Sequence, residues 1–197
     1  MNLSTRQQSG ILLTLALVMI GTRVNHFSAL PDASWALFFV GGFYLRGIAR
    51  LAFPALMVLA VLVDWFVISR TGASFWNHYC VSAAYWFLLP AYLSLWLGGL
   101  WFSRQYDGLR LRNLGLLLAS FVVSVSACYL ISNGSFYWLS DSVASPTFAG
   151  WGKNLGDWYL PYLYTASIYT SIATLVHVAY VQFARAAANA SAHIRHN

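Results

Sequence analysis

Residues 51–69 read LAFPALMVLAVLVDWFVIS, a run of 19 residues in which Asp64 is the one charged side chain. A helix needs about 20 mostly apolar residues to cross the hydrocarbon core of a bilayer, so this stretch predicts a transmembrane helix. The whole chain has the same character, since 59% of its 197 residues are hydrophobic and only 8% are charged, whereas a soluble domain has about 25% charged residues. The composition predicts a membrane protein and excludes a soluble enzyme, a disordered chain and a disulfide-stapled secreted module.

Six stretches of the sequence are apolar enough, or nearly so, to be membrane helices. They are residues 10–27, 33–48, 51–69, 79–102, 114–132 and 158–184. The second is the shortest, because only 13 residues separate Asp32 from Arg46, which is about 20 Å of helix. It must therefore thin the bilayer, extend Arg46 to the interface or pack inside the bundle. We expect residues 1–197 to form one all-α transmembrane domain of six helices.

The distribution of basic residues predicts the orientation of these helices, because cytoplasmic loops are enriched in Lys and Arg. With both termini in the cytoplasm, 8 basic residues lie on that side and 3 lie outside, namely Arg23, Arg70 and Lys153. The first run has no small-residue cleavage site before Arg23, so we expect a retained helix rather than a signal peptide. The net charge of +6 comes from residues between apolar segments, which indicates contact with the lipid bilayer rather than with nucleic acid.

The longest predicted connection, residues 133–157, is rich in aromatic side chains. Loops of this length are usually functional or disordered, and aromatic content argues against disorder. A lid and an interfacial girdle of Trp and Tyr are both open interpretations.

Asp64 is the residue whose burial in a membrane costs most. A carboxylate inside the bilayer costs several kcal/mol unless it is paired, and it often marks a site or a pathway. Arg23 and His26 lie one turn apart at a similar depth on the first predicted helix. Two interpretations are open: an Asp64–Arg23 pair that holds two helices together, or a polar cluster that faces a ligand.

The two cysteines, Cys80 and Cys128, lie in different apolar segments without the spacing of a metal site or disulfide framework. Cys80 lies at the N-terminal end of the fourth segment, where the helix dipole favours a reactive thiolate. Small hydrophobe-like packing is the other interpretation. Cys128 lies in the middle of its segment, and we expect it to be inert.

Histidines leave a haem interpretation open, because a haem held between helices needs two His at matching depth. His26 with His78 is the possible pair, whereas we expect His177 to hydrogen-bond to a neighbouring helix.

No ATP-binding motif is present, since residues 147–154 lack the first Gly and the final Ser or Thr of a P-loop. Transport by this chain would therefore be passive or driven by another energy source.

The chain is short, with six predicted helices and both ends inside, a cysteine at the outer start of the fourth helix (WNHYC at residues 76–80, followed by SAAYW at 82–86), and an aromatic outer connection. In these features the sequence resembles the BtuM family. These are predicted cobalamin transporters, solitary relatives of the substrate-binding S components of energy-coupling factor transporters. The resemblance covers nearly the whole chain in architecture. It implies a bacterial inner-membrane protein with cobalamin as bound substrate and Cys80 as the cobalt ligand. The Ala-x-x-x-Ala docking patch of coupled S components lacks its second Ala at residues 16–20, so an energy-coupling partner stays open.

The resemblance also suggests roles for the neighbours of Cys80. Tyr85 and Trp76 would frame the macrocycle or bind its amides, and Asp64, His26 and Arg23 are further candidate polar partners. A thiolate is a soft, strongly donating ligand, so Cys80 is expected to remove the cyano ligand of cyanocobalamin. Three alternatives are kept: an S component for another vitamin, a haem-bearing electron carrier, and a structural membrane protein without a ligand.

Overall fold

The computed structural model describes residues 3–24, 31–78 and 81–195. These ranges contain no β-strand and form six α-helices, so the predicted all-α class is confirmed. The helices are α1 (Thr5–Arg23), α2 (Ser34–Tyr44), α3 (Ala49–Arg70), α4 (Leu88–Gln105), α5 (Leu111–Leu139) and α6 (Phe148–Arg195). Three short 3-10 helices connect them, at Arg46–Ile48, Phe75–Asn77 and Ala83–Phe87.

Three helical segments in the described part of the chain are long and apolar enough to cross a membrane. They are Arg46–Arg70, Ala83–Gln105 and Leu111–Leu139. The first contains the stretch with Asp64 that led to the membrane prediction. The chain is thus an all-helical protein with helices that could span a membrane.

The short helix α2 packs inside the bundle, which was one of the three possibilities for the second apolar segment. Seven of its 11 residues are buried, and it lies closely against α4. A Cβ atom added at Gly42 would overlap the main-chain carbonyl of Trp96, and one added at Gly99 would overlap that of Phe39. The two backbones approach this closely because both contact positions are glycine. The pair α2–α4 is therefore the centre of the fold.

The fourth predicted segment, residues 79–102, does not form one continuous α-helix. The chain forms the 3-10 helix Ala83–Phe87 first, and α4 begins only at Leu88. Pro90 is the third residue of α4, and proline favours this first turn because it has no N–H and its ring clashes with a helical carbonyl four residues earlier. The serine Oγ of Ser82 accepts a hydrogen bond from the Ala84 N–H at 3.3 Å and stabilises the start of the 3-10 helix.

The predicted connection 133–157 is largely helical. Helix α5 continues to Leu139 and α6 begins at Phe148, so only residues 140–147 lie outside a helix. Side chains of this region hold the two helices together: the Tyr129 hydroxyl donates to the Leu155 carbonyl at 2.9 Å, and Asn133 Nδ2 donates to Asn154 Oδ1 at 2.6 Å. Among the aromatic residues of the region, Trp138 on α5 lies 5.0 Å from the ring of Phe148 and 6.2 Å from that of Trp151 on α6, so they pack the two helices together.

Candidate functional site

Arg23, at the end of α1, is the centre of a buried ionic cluster. Its Nε lies 2.6 Å from Asp64 Oδ1 and its Nη2 lies 2.7 Å from Asp64 Oδ2, a bidentate pair between α1 and α3. Its Nη1 also donates to Asp32 Oδ2 at 2.8 Å. The Arg23 side chain is only 9% exposed, so nearly all of its charge is balanced by protein atoms. The predicted Asp64–Arg23 pair is confirmed.

Hydroxyl groups complete this cluster from α2, from the 3-10 helix Ala83–Phe87 and from α4. Arg23 Nη1 donates to Ser34 Oγ at 3.0 Å and to the Tyr92 hydroxyl oxygen at 3.2 Å. The Tyr85 hydroxyl donates to Asp64 Oδ2 at 2.8 Å. These contacts tie four segments of the chain to one guanidinium. Two carboxylates and one guanidinium leave one excess negative charge in the cluster.

A cavity of about 250 Å³ opens beside this cluster. We call it the polar cavity, because both members of the bidentate pair reach its surface. It is lined by Arg23, Asp64, Val67, Ile68, Thr71, His78, Ala84, Tyr85, Leu88, Ser132, Ser135 and Phe136. The lining combines apolar side chains with a few convergent polar groups, which is the usual composition of a small-molecule site. The polar cluster therefore both holds helices together and faces a space that a ligand could enter.

The structure brings three of the predicted site residues, Arg23, Asp64 and Tyr85, to one cavity. Trp76 does not line that cavity: its side chain is 72% exposed and contacts the ring of Phe75 edge-on. On the same 3-10 helix, Phe75 is buried and contacts the ring of Tyr85, whereas Trp76 is exposed. Cys80 and His26, the remaining two candidates, lie outside the described residues.

Two other predictions about single residues are confirmed. Cys128 is completely buried in the core, with 0% of its surface exposed, as expected of an inert packing cysteine. His177 lies with Nδ1 2.7 Å from the Tyr44 hydroxyl and with Nε2 2.8 Å from the Tyr106 hydroxyl, so it binds neighbouring elements on both sides. Within the described ranges, no group of three or more His, Cys, Asp or Glu side chains could hold a metal ion.

Sequence reasoning missed the residues that complete the Arg23 cluster. Asp32 holds the start of α2 as well as Arg23, since its Oδ1 accepts from the Ser34 N–H at 2.9 Å. A charged residue directly before an apolar segment was a signal for Asp32. Ser34 and Tyr92 gave no such signal, because serine and tyrosine are common in membrane helices and only the packing of α2 on α4 brings them to Arg23.

Together, the fold and this cavity define an all-helical protein with helices that could span a membrane and with a buried ionic cluster at the border of a ligand-sized space. No model of a known protein family matches the chain, and no curated protein sequence matches it.

Proposed function

We propose that this chain is a six-helix transporter of the bacterial inner membrane that binds cobalamin, with Cys80 as the axial cobalt ligand. The observation that carries the proposal is the polar cavity. His78 and Ala84 both line it, and Cys80 lies between these two residues in the sequence. In sequence, the Cys80 thiolate would therefore be only a few residues from His78 and from Ala84, the two residues that line the cavity. The resemblance to a family with a cobalt-binding cysteine at this position gives the ligand.

The proposed topology has six spans and both termini in the cytoplasm. The basic residues favour it, because 8 of them then lie on the cytoplasmic side. In this orientation α3 ends on the outer side at Arg70, and the polar cavity lies between the end of α3 and the start of α4. The cavity would thus be open to substrate arriving from outside the cell.

The chemistry of the polar cavity suits a corrinoid, which is a largely apolar macrocycle with amide groups at its edge. The excess negative charge of the cluster favours N–H donors, and Asp64 Oδ2 already accepts from the Tyr85 hydroxyl at 2.8 Å. Amide N–H groups of the substrate would be further donors of the same kind. A volume of about 250 Å³ is less than a corrinoid needs, so the macrocycle would cover the mouth of the cavity with one axial side inserted.

The proposed chemical step is a ligand exchange at cobalt. The sulfur of Cys80 forms a Co–S bond as the Co–C bond of cyanocobalamin breaks, and cyanide leaves with the bonding electron pair. The thiol proton leaves with it as hydrogen cyanide, so atoms and charge balance and cobalt keeps its oxidation state. Soft thiolate donors bind such metal centres strongly, which provides the driving force.

Absorption spectroscopy tests this step directly. Purified protein in detergent is mixed with cyanocobalamin, and the corrin bands are followed together with released cyanide. We expect shifted bands and about one cyanide per bound corrinoid for the unmodified chain. Cys128→Ala is the matched control because the other cysteine is fully buried in the core, and it should behave like the unmodified chain. Cys80→Ala should leave the spectrum of free cyanocobalamin.

Two outcomes would contradict the proposal. An unshifted corrin spectrum that is the same for the unmodified chain and for Cys80→Ala would end it. A haem absorption band in protein purified without additions, lost in His78→Ala, would identify the electron-carrier alternative instead.

Transport is tested separately by cobalamin-dependent growth of an importer-deficient host. The unmodified chain and Cys128→Ala should support growth, and Cys80→Ala should support markedly less.

A further inference from the structure

A second cavity, of about 330 Å³, lies at the other end of the bundle between α2, α4, α5 and α6. We call it the apolar cavity, since most of its lining is hydrophobic, including Phe43, Phe102 and Leu117. Leu117 and Ser132 line the two different cavities from the same helix α5. Fifteen residues of α-helix separate them, which is about 22 Å. The two cavities are therefore distinct sites near opposite ends of the bundle.

Two residues that line the apolar cavity each carry a buried polar atom that makes no hydrogen bond within the described part of the chain. These atoms are the Thr170 hydroxyl and the side-chain oxygen of Asn113, and both residues line the cavity. Thr170 is 7% exposed and Asn113 is 3% exposed. Buried polar atoms are almost always hydrogen-bonded, and leaving one unpaired costs about 1–3 kcal/mol. A ligand with a hydroxyl or N–H donor beside its charged group would pair Asn113 Oδ1, which lies three residues from Arg110.

Cationic side chains lie at one edge of this cavity. Arg110 lines it and has its charge exposed beside Asp107. The guanidinium of Arg185, on α6, approaches the same loop: its Nη2 lies 3.7 Å from where a Cβ of Gly108 would stand, and Gly108 also lines the cavity. The cavity thus combines an apolar interior, two lining residues with an unpaired polar atom and a cationic edge.

We propose that the apolar cavity is a binding site for one anionic phospholipid. An acyl chain occupies the space beside Phe43 and Leu117, and the phosphate lies against Arg110 and Arg185. A headgroup hydroxyl donates to Asn113 Oδ1, on α5 within one turn of Arg110. Positive charge at the cavity edge matches the phosphate, and basic residues near a membrane surface attract anionic lipids by about 1 kcal/mol each. This site is independent of the proposed cobalamin site.

Native mass spectrometry of the delipidated full chain in detergent tests the proposal. Dioleoyl phosphatidylglycerol and dioleoyl phosphatidylcholine, which carry the same acyl chains, are titrated in parallel. We expect one tightly held phosphatidylglycerol per chain and at least fivefold weaker retention of phosphatidylcholine. The double variant Arg110→Gln/Arg185→Gln should lose about fivefold in phosphatidylglycerol affinity for each charge removed.

The matched control is Arg104→Gln/Arg112→Gln, which removes the same number of charges from the same end of the chain. Neither residue lines the apolar cavity, so this variant should keep phosphatidylglycerol to within about twofold. Ala173→Trp, which fills the cavity from α6, should reduce retention of both lipids, whereas Ala187→Trp at an exposed position of the same helix should not.

Three results would overturn the proposal. Equal retention of the two lipids would remove the role of the anionic headgroup. Equal losses in both double variants would indicate attraction to the whole surface rather than to this cavity. Displacement of phosphatidylglycerol by cyanocobalamin would assign the cavity to the corrinoid. If Ala173→Trp does not fold, as judged by thermal melting, the two double variants still decide the outcome.

Discussion

The two ends of this helical bundle differ in how they accommodate charged side chains. At the polar cavity, Arg23 is buried and surrounded by four side chains that accept hydrogen bonds from it. At the apolar cavity, the interior is hydrophobic and Arg110 stays exposed at the edge. At the polar cavity, a network of hydrogen bonds compensates the buried charge of Arg23, whereas at the apolar cavity the charge of Arg110 stays hydrated. We therefore expect the polar cavity to select a ligand by the geometry of its hydrogen bonds, and the apolar cavity to accept apolar groups of varied shape.

The polar cavity can be rigid because its cluster draws on several helices at once. Asp64 belongs to α3, Tyr92 to α4 and Ser34 to α2, and all of them bind one guanidinium at the end of α1. A ligand would meet donors and acceptors that are already oriented, which lowers the entropic cost of binding.

The largest effect is expected for Arg23→Met, which breaks the polar end and leaves the apolar end unchanged. Two carboxylates, Asp32 and Asp64, then lose their shared counter-charge. Breaking a buried ion pair by removing one partner costs about 3–5 kcal/mol, so the free energy of unfolding should fall by about that amount. Thermal or denaturant unfolding in detergent measures it.

Arg70→Met is the control for this prediction. Arg70 is exposed at the end of α3 and lies with its Cζ 5.5 Å from the centre of the Phe66 ring. An exposed cation–π contact is worth about 0.5–1 kcal/mol, so this variant should lose no more than that. Equal losses in Arg23→Met and Arg70→Met would contradict the contrast between buried and hydrated charge.

A smaller effect is expected in the middle of the bundle, where α2 packs against α4, a helix that contributes to the lining of both cavities. In Gly99→Ala the new Cβ would overlap the Phe39 carbonyl, and overpacking of this kind costs about 1–3 kcal/mol. Gly115→Ala, on α5, meets no atom within 4 Å and should gain up to about 1 kcal/mol, because alanine favours helix over glycine. The two glycine variants should thus shift the free energy of unfolding in opposite directions. A stabilised Gly99→Ala would show that the α2–α4 contact is loose, and the two ends could then move independently.

The sequence predicted those features that depend on local hydropathy and on the cost of burying charge. The apolar run at residues 51–69 predicted a membrane helix, and the isolated carboxylate of Asp64 predicted its pairing with Arg23. The sequence-based prediction was wrong where tertiary packing determines which residues form helices or join the cluster. Polar and aromatic residues at 133–157 have the composition of a connection but extend α5 and α6, and the hydroxyl of Tyr92 joins the cluster only because α4 packs against α2. Pro90 favours a helix start near α4, because proline fits best in the first turn, but Pro161 lies inside α6, so proline alone does not locate a helix start in this chain.

The smallest effect is expected at the loop beside the apolar cavity, where charge is hydrated. The pKa of Asp107 is lowered from its usual 3.8, first by the hydrogen bond from Asn113 and also by the charge of Arg110. Asn113 Nδ2 donates to Asp107 Oδ1 at 2.6 Å. Because the folded pKa lies below the unfolded one, this contact stabilises the loop fully above about pH 4 and is lost as the pH falls through the lowered pKa.

Asp107→Asn should therefore flatten the acid side of the stability profile slightly, and the difference from the unmodified chain should shrink in high salt, since exposed charges are screened. Unfolding followed in detergent between about pH 5 and pH 2 measures this. Asp141→Asn, at an exposed position in the α5–α6 connection, is the matched control and should keep the profile of the unmodified chain. A large, salt-insensitive loss of unfolding free energy in Asp107→Asn would mean that this carboxylate is paired as strongly as Asp64. The contrast between the two ends of the bundle would then no longer hold.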